Sequence, residues 1–309
     1  MIWCTLLNPT LDVTYTVSEL QSGKTHIDCL QTQIPAGKGL NIVRVIRTLG
    51  EEVTVTGLLP EFDGKRVTAF LEDRSIAHHF FPVSGGMGVN ATVVEDKTGD
   101  VTHIVAASPK VSSRIQHEFT AFAAQKMKSG DYWCFSGSIP QGFSDDAYSS
   151  FIKCGEEIGV KSVLDSQGAP LKRGIRTRPF MIKPNLSELE EFFEEQIKGV
   201  HHIALKGKRL MDMGVTYVFI SLGEDGMIAL HKNDCLLCNA PSIQVRDTNG
   251  CGDALVAGAL VAIKRQFSFT EICRMAVACG SAKALHRDPG KVNSDNVWQL
   301  MEDVHITSV

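Results

Sequence analysis

The chain has 309 residues, with 31 Lys and Arg against 35 Asp and Glu, a formal charge of −4. A chain of this length buries roughly 75% of its unfolded surface, so a large core forms without disulfides or structural metals. The near balance of charge leaves no basic excess to hold a phosphate backbone, which argues against nucleic acid as a ligand.

The nine cysteines are scattered, and Cys235 and Cys238 form a CxxC pair without a second pair or nearby histidine to complete a zinc site. Two positions on a strand is the simpler reading of that pair. The apolar run Met1–Leu7 is short, lacks a basic flank and is stopped by Asn8-Pro9 and Asp12, unlike a signal peptide. No stretch reaches the roughly 18 apolar residues of a membrane span. A reducing cytoplasm is the expected location.

In chain order, Ile2–Leu7 reads as a buried strand, and Gly39–Leu49 as a helix with Leu40, Val43, Ile46 and Leu49 on one face and a stop at Gly50. Strands follow at Val53–Leu58, Tyr132–Phe135, Lys161–Asp165, Phe180–Lys183 and Tyr217–Ser221. Helices are expected at Gly64–Asp73, Asp145–Gly155, Leu186–Glu195, Ala254–Lys264 and Phe269–Leu285. Strands alternating with longer helices indicate an α/β fold, a mainly parallel sheet covered on both faces. Val13–Val17, His26–Ile34, Gly88–Glu95 and Val101–Val105 instead alternate apolar and polar residues, as antiparallel hairpin strands with one wet face do. They read as a small β lid, within about residues 12–35 and 86–107, inserted into one domain spanning 1–309.

The run Asp247-Thr248-Asn249-Gly250-Cys251-Gly252-Asp253 leads from a glycine-rich turn straight into a helix. Free N–H groups at a helix start carry partial positive charge, and Gly250 and Gly252 let an anion approach them. Asp253 beside that anion is a poor ligand for it but a good base for a hydroxyl attacking a bound phosphoryl group. An N-cap Asp after a glycine turn is the structural alternative. Ala254, Ala257, Gly258 and Ala259 read as close helix packing.

This run resembles the C-terminal signature of the ribokinase-like, phosphofructokinase B sugar kinases, D-T-x-G-A-G-D, with Cys251 where alanine is usual. Further segments resemble the same family in the same order. They are Asn8-Pro9-Thr10-Leu11-Asp12, Ala36-Gly37-Lys38-Gly39-Leu40-Asn41, Ser136-Gly137-Ser138-Ile139-Pro140, Lys183-Pro184-Asn185 with Glu188, and Ser221-Leu222-Gly223 with Gly226. The Ala36–Asn41 segment is similar to the branch of 1-phosphofructokinases and tagatose-6-phosphate kinases.

The resemblance implies a three-layer core and ATP-dependent phosphorylation of a sugar hydroxyl. Asp253 would be the base, and the amides of Gly250, Cys251 and Gly252 would hold the transferring phosphoryl. Asp12, Gly37, Lys38, Gly39, Asn41, Asn90 and Ser138 would meet the sugar. Asn185, Ser221, Gly223, Gly226, Gly280 and Ser281 would meet the nucleotide. Mg²⁺ would sit through water near Asn185 and Glu188, and a monovalent cation such as K⁺ near Asp247. Several of these residues have simpler readings. Asp12 also suits a turn cap, Gly223 and Gly226 any tight turn, and Glu188 an acidic solvated face.

Phosphofructokinase-like lids carry an arginine two positions before an asparagine. Gly88 stands there, before Asn90, and glycine cannot clamp a phosphate as a guanidinium does. Lys24, Lys38, Arg44 or a second subunit would have to supply the charge. Fructose 1-phosphate is the expected acceptor; tagatose 6-phosphate, a free sugar, or a non-catalytic sugar- or nucleotide-binding role are the alternatives. A lid with a bare face suggests a homodimer.

Overall fold

Ile2–Leu6 is buried at all five residues, as a strand covered on both faces must be. Ile2, Cys4 and Leu6 join one apolar cluster and Trp3 the other, so the period of two divides the strand between two cores. The protein is described by a computed structural model covering residues 1–107 and 110–309.

The chain begins with β1 (Ile2–Leu6), β2 (Thr10–Val17), β3 (Leu30–Ala36), α1 (Lys38–Thr48), β4 (Val53–Pro60), α2 (Lys65–Glu72), β5 (Ala77–Val83), β6 (Gly88–Glu95) and β7 (Val101–Ile104). It continues with α3 (Ser113–Lys126), β8 (Tyr132–Ser136), α4 (Ala147–Glu157), β9 (Lys161–Asp165), α5 (Gly168–Ile175), β10 (Met181–Ile182), α6 (Leu186–Phe193) and α7 (Val200–Asp212). It closes with β11 (Tyr217–Ser221), β12 (Met227–His231), β13 (Asp234–Asn239), α8 (Cys251–Lys264), α9 (Phe269–Ala284), α10 (Ser294–Glu302) and β14 (His305–Ser308).

One sheet has ten strands in the order β14-β13-β12-β11-β10-β9-β8-β1-β4-β5. From β11 to β5 every pairing is parallel, while β12, β13 and β14 add an antiparallel edge. Helices α1, α8 and α9 pack on one face and α4, α5 and α7 on the other. The chain steps from β1 outward to β4 and β5, then returns to β8 on the opposite side of β1. Ligands in such sheets bind beyond the strand carboxyl ends where the order reverses. Cys235 and Cys238 both lie on β13, buried, and all nine cysteines are free thiols.

The second sheet has the order β3-β2-β6-β7, with β2 and β6 parallel and each outer strand antiparallel to its neighbour. β3 departs from the expected alternation, because Leu30, Gln31, Thr32 and Gln33 are all exposed. It begins later than His26 and covers no core until Ile34. α8 starts three residues before the expected Ala254. Gly250 caps it in the left-handed region at φ 87°, where a Cβ would lie 2.3 Å from the Pro289 carbonyl oxygen. Only glycine makes that turn at that spacing, and it places Asp253 in the first helical turn. α8 and α9 are in close contact, since a Cβ on Gly258 would lie 2.6 Å from Cys279 Sγ.

Candidate active site

A cavity of about 540 Å³ opens at the carboxyl ends of β1, β8, β9 and β10, with the second sheet along one wall. Asn8, Gly137, Ser138, Ser166 and Lys183 line it from the residues that follow those strands. From the other walls come Gly37, Lys38, Gly39 and Asn41 of the α1 start, Gly88, Asn90 and Asp12 of the second sheet, and Gly250, Gly252 and Asp253 of the α8 start. Residues distant in sequence thus meet at the reversal point of the sheet.

Asp253 is 4% exposed, and its Oδ2 accepts from Asn41 Nδ2 at 2.9 Å. Burial pushes the carboxyl up to about 6; the Lys38 ammonium opposes that rise and the Asp165 carboxylate adds to it. A carboxyl in that range sits near the working pH of a general base. Protonation disables a base, so kcat/KM is expected to fall as pH drops through about 6. A profile flat from pH 7 to well below 5 would remove Asp253 from the rate-controlling ionisation.

Asp165, at the end of β9, was not singled out from the sequence. It is 1% exposed, with Lys183 Nζ 3.2 Å from Oδ1, Lys38 Nζ 3.6 Å from Oδ2, and Ser136 Oγ donating to Oδ2 at 3.0 Å. Burial alone would raise the Asp165 carboxyl, but Lys183 and Lys38 hold it below the usual range, and Asp165 in turn raises Lys38. Lys183 is 5% exposed and lies against the anion turn, since a Cβ on Gly252 would be 3.3 Å from its Nζ.

Asp12 is fixed from two sides. Asn90 Nδ2 donates to Asp12 Oδ1 at 2.8 Å and Thr10 Oγ1 donates to the same oxygen at 3.1 Å, while Asn90 Oδ1 accepts from Ala106 N. Burial raises Asp12 despite those two hydrogen bonds. Ser138 Oγ and its carbonyl both accept from Asn8 Nδ2, at 2.8 and 2.7 Å.

Residues 8–296 match the sequence profile of the pfkB family carbohydrate kinases. The chain belongs to the pfkB family. It is 30% identical to a 1-phosphofructokinase of Bacillus subtilis over 99% of both chains, and 26% identical to a tagatose-6-phosphate kinase of Staphylococcus epidermidis over the whole of both. The phosphofructokinase-2 of Escherichia coli, solved in complex with potassium, superposes with a TM-score of 0.92 at 21% identity, over 97% of this chain and 98% of that one. The three-layer ribokinase-like core expected from the sequence is therefore the one found, and the protein is an ATP-dependent carbohydrate kinase. No helix among the described residues is long and apolar enough to cross a membrane.

The other residues nominated from the sequence divide between the cavity wall and places outside it in this pfkB kinase. Lys24 is exposed in the connection between β2 and β3 and does not line the cavity. Arg44 is held by Asp288 through two contacts of 2.7 and 2.6 Å, so its fork is already occupied. Asn41 spends its Nδ2 on Asp253, which makes it an orienting group for that carboxylate. Asn185 is the N-cap of α6, and it and Glu188 exchange hydrogen bonds of 2.8 and 2.9 Å in a capping box. Both still line the cavity. Ser221 lines the cavity and, with Gly223, a second one that shares Asn185; Gly226 closes the turn into β12, where a Cβ would lie 2.0 Å from the Cys238 oxygen. Gly280 and Ser281 lie on α9, outside both cavities, and Gly280 faces the Cys251 carbonyl.

Cys251 stands where alanine is usual, and its surroundings suit that. A thiol at a helix N-terminus tends to ionise easily, but burial pushes Cys251 up to about 11, with Lys283 opposing the rise. Its Sγ points to the Asp247 carbonyl at 4.0 Å, away from the cavity. Cys251 is thus a small apolar filler in the alanine position. Thiol alkylation of the native enzyme at neutral pH is expected to leave Cys251 unmodified, as peptide mapping of the labelled protein would show.

Proposed function

We propose that this kinase phosphorylates fructose 1-phosphate, with Asp253 as the base. The observation that carries the reading is Asp253 itself, buried, oriented by Asn41 and placed in the first turn of α8. Asp253 takes the proton from the attacking sugar hydroxyl. The amides of Gly250 and Gly252, with the Lys183 ammonium, meet the charge on the transferring phosphoryl by positioning and electrostatics; the Cys251 amide, expected to join them, donates instead to the Thr248 carbonyl at 3.2 Å. Asp12, held by Asn90 and Thr10, accepts hydrogen bonds from the sugar. The second sheet acts as a lid that excludes water, which would otherwise hydrolyse ATP.

Two lysines, Lys38 and Lys183, face four carboxylates, Asp12, Asp165, Glu188 and Asp253, on the cavity wall. The excess of carboxylates favours a phosphate ligand that arrives with its own cation. Among the described residues no group of three acidic, His or Cys side chains could hold a metal alone. That fits Mg²⁺, which keeps waters and takes phosphate oxygens beside one or two carboxylates; Glu188, with Asn185, would hold it through water. When bound it neutralises charge on the ATP phosphates.

The acceptor assignment rests on the 1-phosphofructokinase relative at 30% identity and on Lys38 in the cavity. Of Lys24, Lys38 and Arg44, Lys38 is the one on the cavity wall. A charged hydrogen bond contributes about 1.5–3 kcal/mol, so Lys38→Met is expected to raise KM for fructose 1-phosphate about 10–150-fold. Gly88→Arg is expected to lower that KM, because the backbone there accepts a side chain and the new Cβ meets only Ala106 Cβ closely, at 3.2 Å. KM values for fructose 1-phosphate, tagatose 6-phosphate and free fructose on both variants test this. Preferred turnover of free fructose, unaffected by Lys38→Met, would overturn it. Ile27, Leu30, Ile104 and Val105, on and beside the outer lid strands, are 60–78% exposed, and this apolar surface supports a homodimer through that sheet.

A further inference from the structure

Lys283, in the last turn of α9, is 0% exposed. It does not line the cavity, and the reaction above gives it no task. A lysine is kept in such a place only when its charge is paired and hydrogen-bonded. Its Nζ donates to the Asp247 carbonyl at 2.8 Å and lies 3.9 Å from Asp247 Oδ2. Asp247 Oδ1 accepts from Asn249 N at 2.9 Å, and the main-chain N–H groups of Arg246 and Asp247 donate to the Ala284 carbonyl at 2.8 and 3.4 Å. The end of α9 therefore grips the head of the turn whose other end, Gly250, caps α8.

An ammonium and a dehydrated potassium ion carry the same charge and satisfy themselves on the same carbonyl and carboxylate oxygens. Asp247 is where the family resemblance implies a monovalent cation, and the Escherichia coli phosphofructokinase-2 was solved in complex with potassium. Here the carbonyl and the carboxylate of Asp247 already face a side-chain cation, so the donor set does not fit a free ion. We propose that the Lys283 ammonium is a tethered substitute for that cation: it holds the Asp247–Gly250 turn and the first amides of α8 in place, and this kinase runs without a bound monovalent ion. Lys283 acts through the turn and is a positioning residue.

The test uses the full-length enzyme with MgATP and fructose 1-phosphate. Potassium, sodium, ammonium or tetramethylammonium is the monovalent ion, at equal ionic strength. The wild-type rate is expected to be the same in all four. Lys283→Ala opens a cation-sized space, and displacement of the turn should lower the rate by up to about 100-fold in tetramethylammonium. Added potassium or ammonium should restore most of it with saturation. Lys283→Met fills the space without charge and should show the loss without the rescue. Thermal melting reads the same site without substrate: potassium should raise the midpoint of Lys283→Ala saturably and leave the wild type unmoved.

Saturable activation or thermal stabilisation of the wild type by potassium overturns the proposal. So does a Lys283→Ala protein that keeps its rate and ignores potassium. If Lys283→Ala does not fold, the wild-type cation series and Lys283→Met still decide, since rescue of the methionine variant by potassium would also overturn it. Should fructose 1-phosphate not be turned over at all, the acceptor reading fails while the melting series still reports on Lys283.

Discussion

Asp253→Asn is expected to lower kcat by about 10²–10⁴-fold, the usual cost of losing a general base. The substitution preserves shape in a site that is 4% exposed, and Asn41 Nδ2 can still donate to the amide oxygen. The turn amides and Lys183 remain, so the dissociation constant for MgATP should change little. A change confined to kcat separates loss of the base from loss of the nucleotide site. The acidic limb of the pH profile should vanish with the carboxyl, because Asp253 is the group pushed up to about 6 by burial. Turnover near normal in this variant, with the limb intact, would show that another group takes the proton.

The placement of Asp253 in the first turn of a helix was legible in the sequence because its signal is local. A glycine turn running into a helix specifies both the proposed anion site and the carboxylate beside it within seven residues. The parallel core strands were legible for a similar reason, since runs such as Lys161–Asp165 and Tyr217–Ser221 are short and apolar between turns. β5 was not, because Ala77–Val83 carries two histidines and a proline and is half exposed at the sheet edge. Helix α7 was hidden by His201, His202 and four further charged residues, although its buried stripe is regular.

Contacts between distant segments were beyond local reading. Arg44 looked available until its partner, Asp288, arrived from 244 residues away. The ionisation of Cys251, at a helix start, is governed by burial, a property of the whole fold. Lys24 is near the lid strands in sequence, but its connection carries it away from the cavity. Asp12 lies within β2 of the second sheet, whereas Asp165 carries a local signal, a carboxylate ending a core strand. Its two lysines lie on other segments, one at the α1 start and one after β10.

That shared carboxylate makes Lys183→Met the second large effect. Lys183 has two jobs that a single variant confounds. In the proposed reaction it faces, from beside Gly252, the transferring phosphoryl, and loss of one such donor lowers kcat by about 10²–10³-fold. Against Asp165 it neutralises a carboxylate that is 1% exposed, and breaking a buried pair costs about 3–5 kcal/mol. The stability loss should fall at the lower end, because Lys38 remains 3.6 Å from the other oxygen. A drop of several degrees in the thermal midpoint is the expected reading for a chain of this size. The double variant Lys183→Met with Asp165→Asn removes both charges and should recover most of that midpoint. Its kcat should stay low, since the phosphoryl still lacks its ammonium. If the double variant recovers rate together with stability, Lys183 only balances Asp165, and the anion site consists of the α8 amides alone.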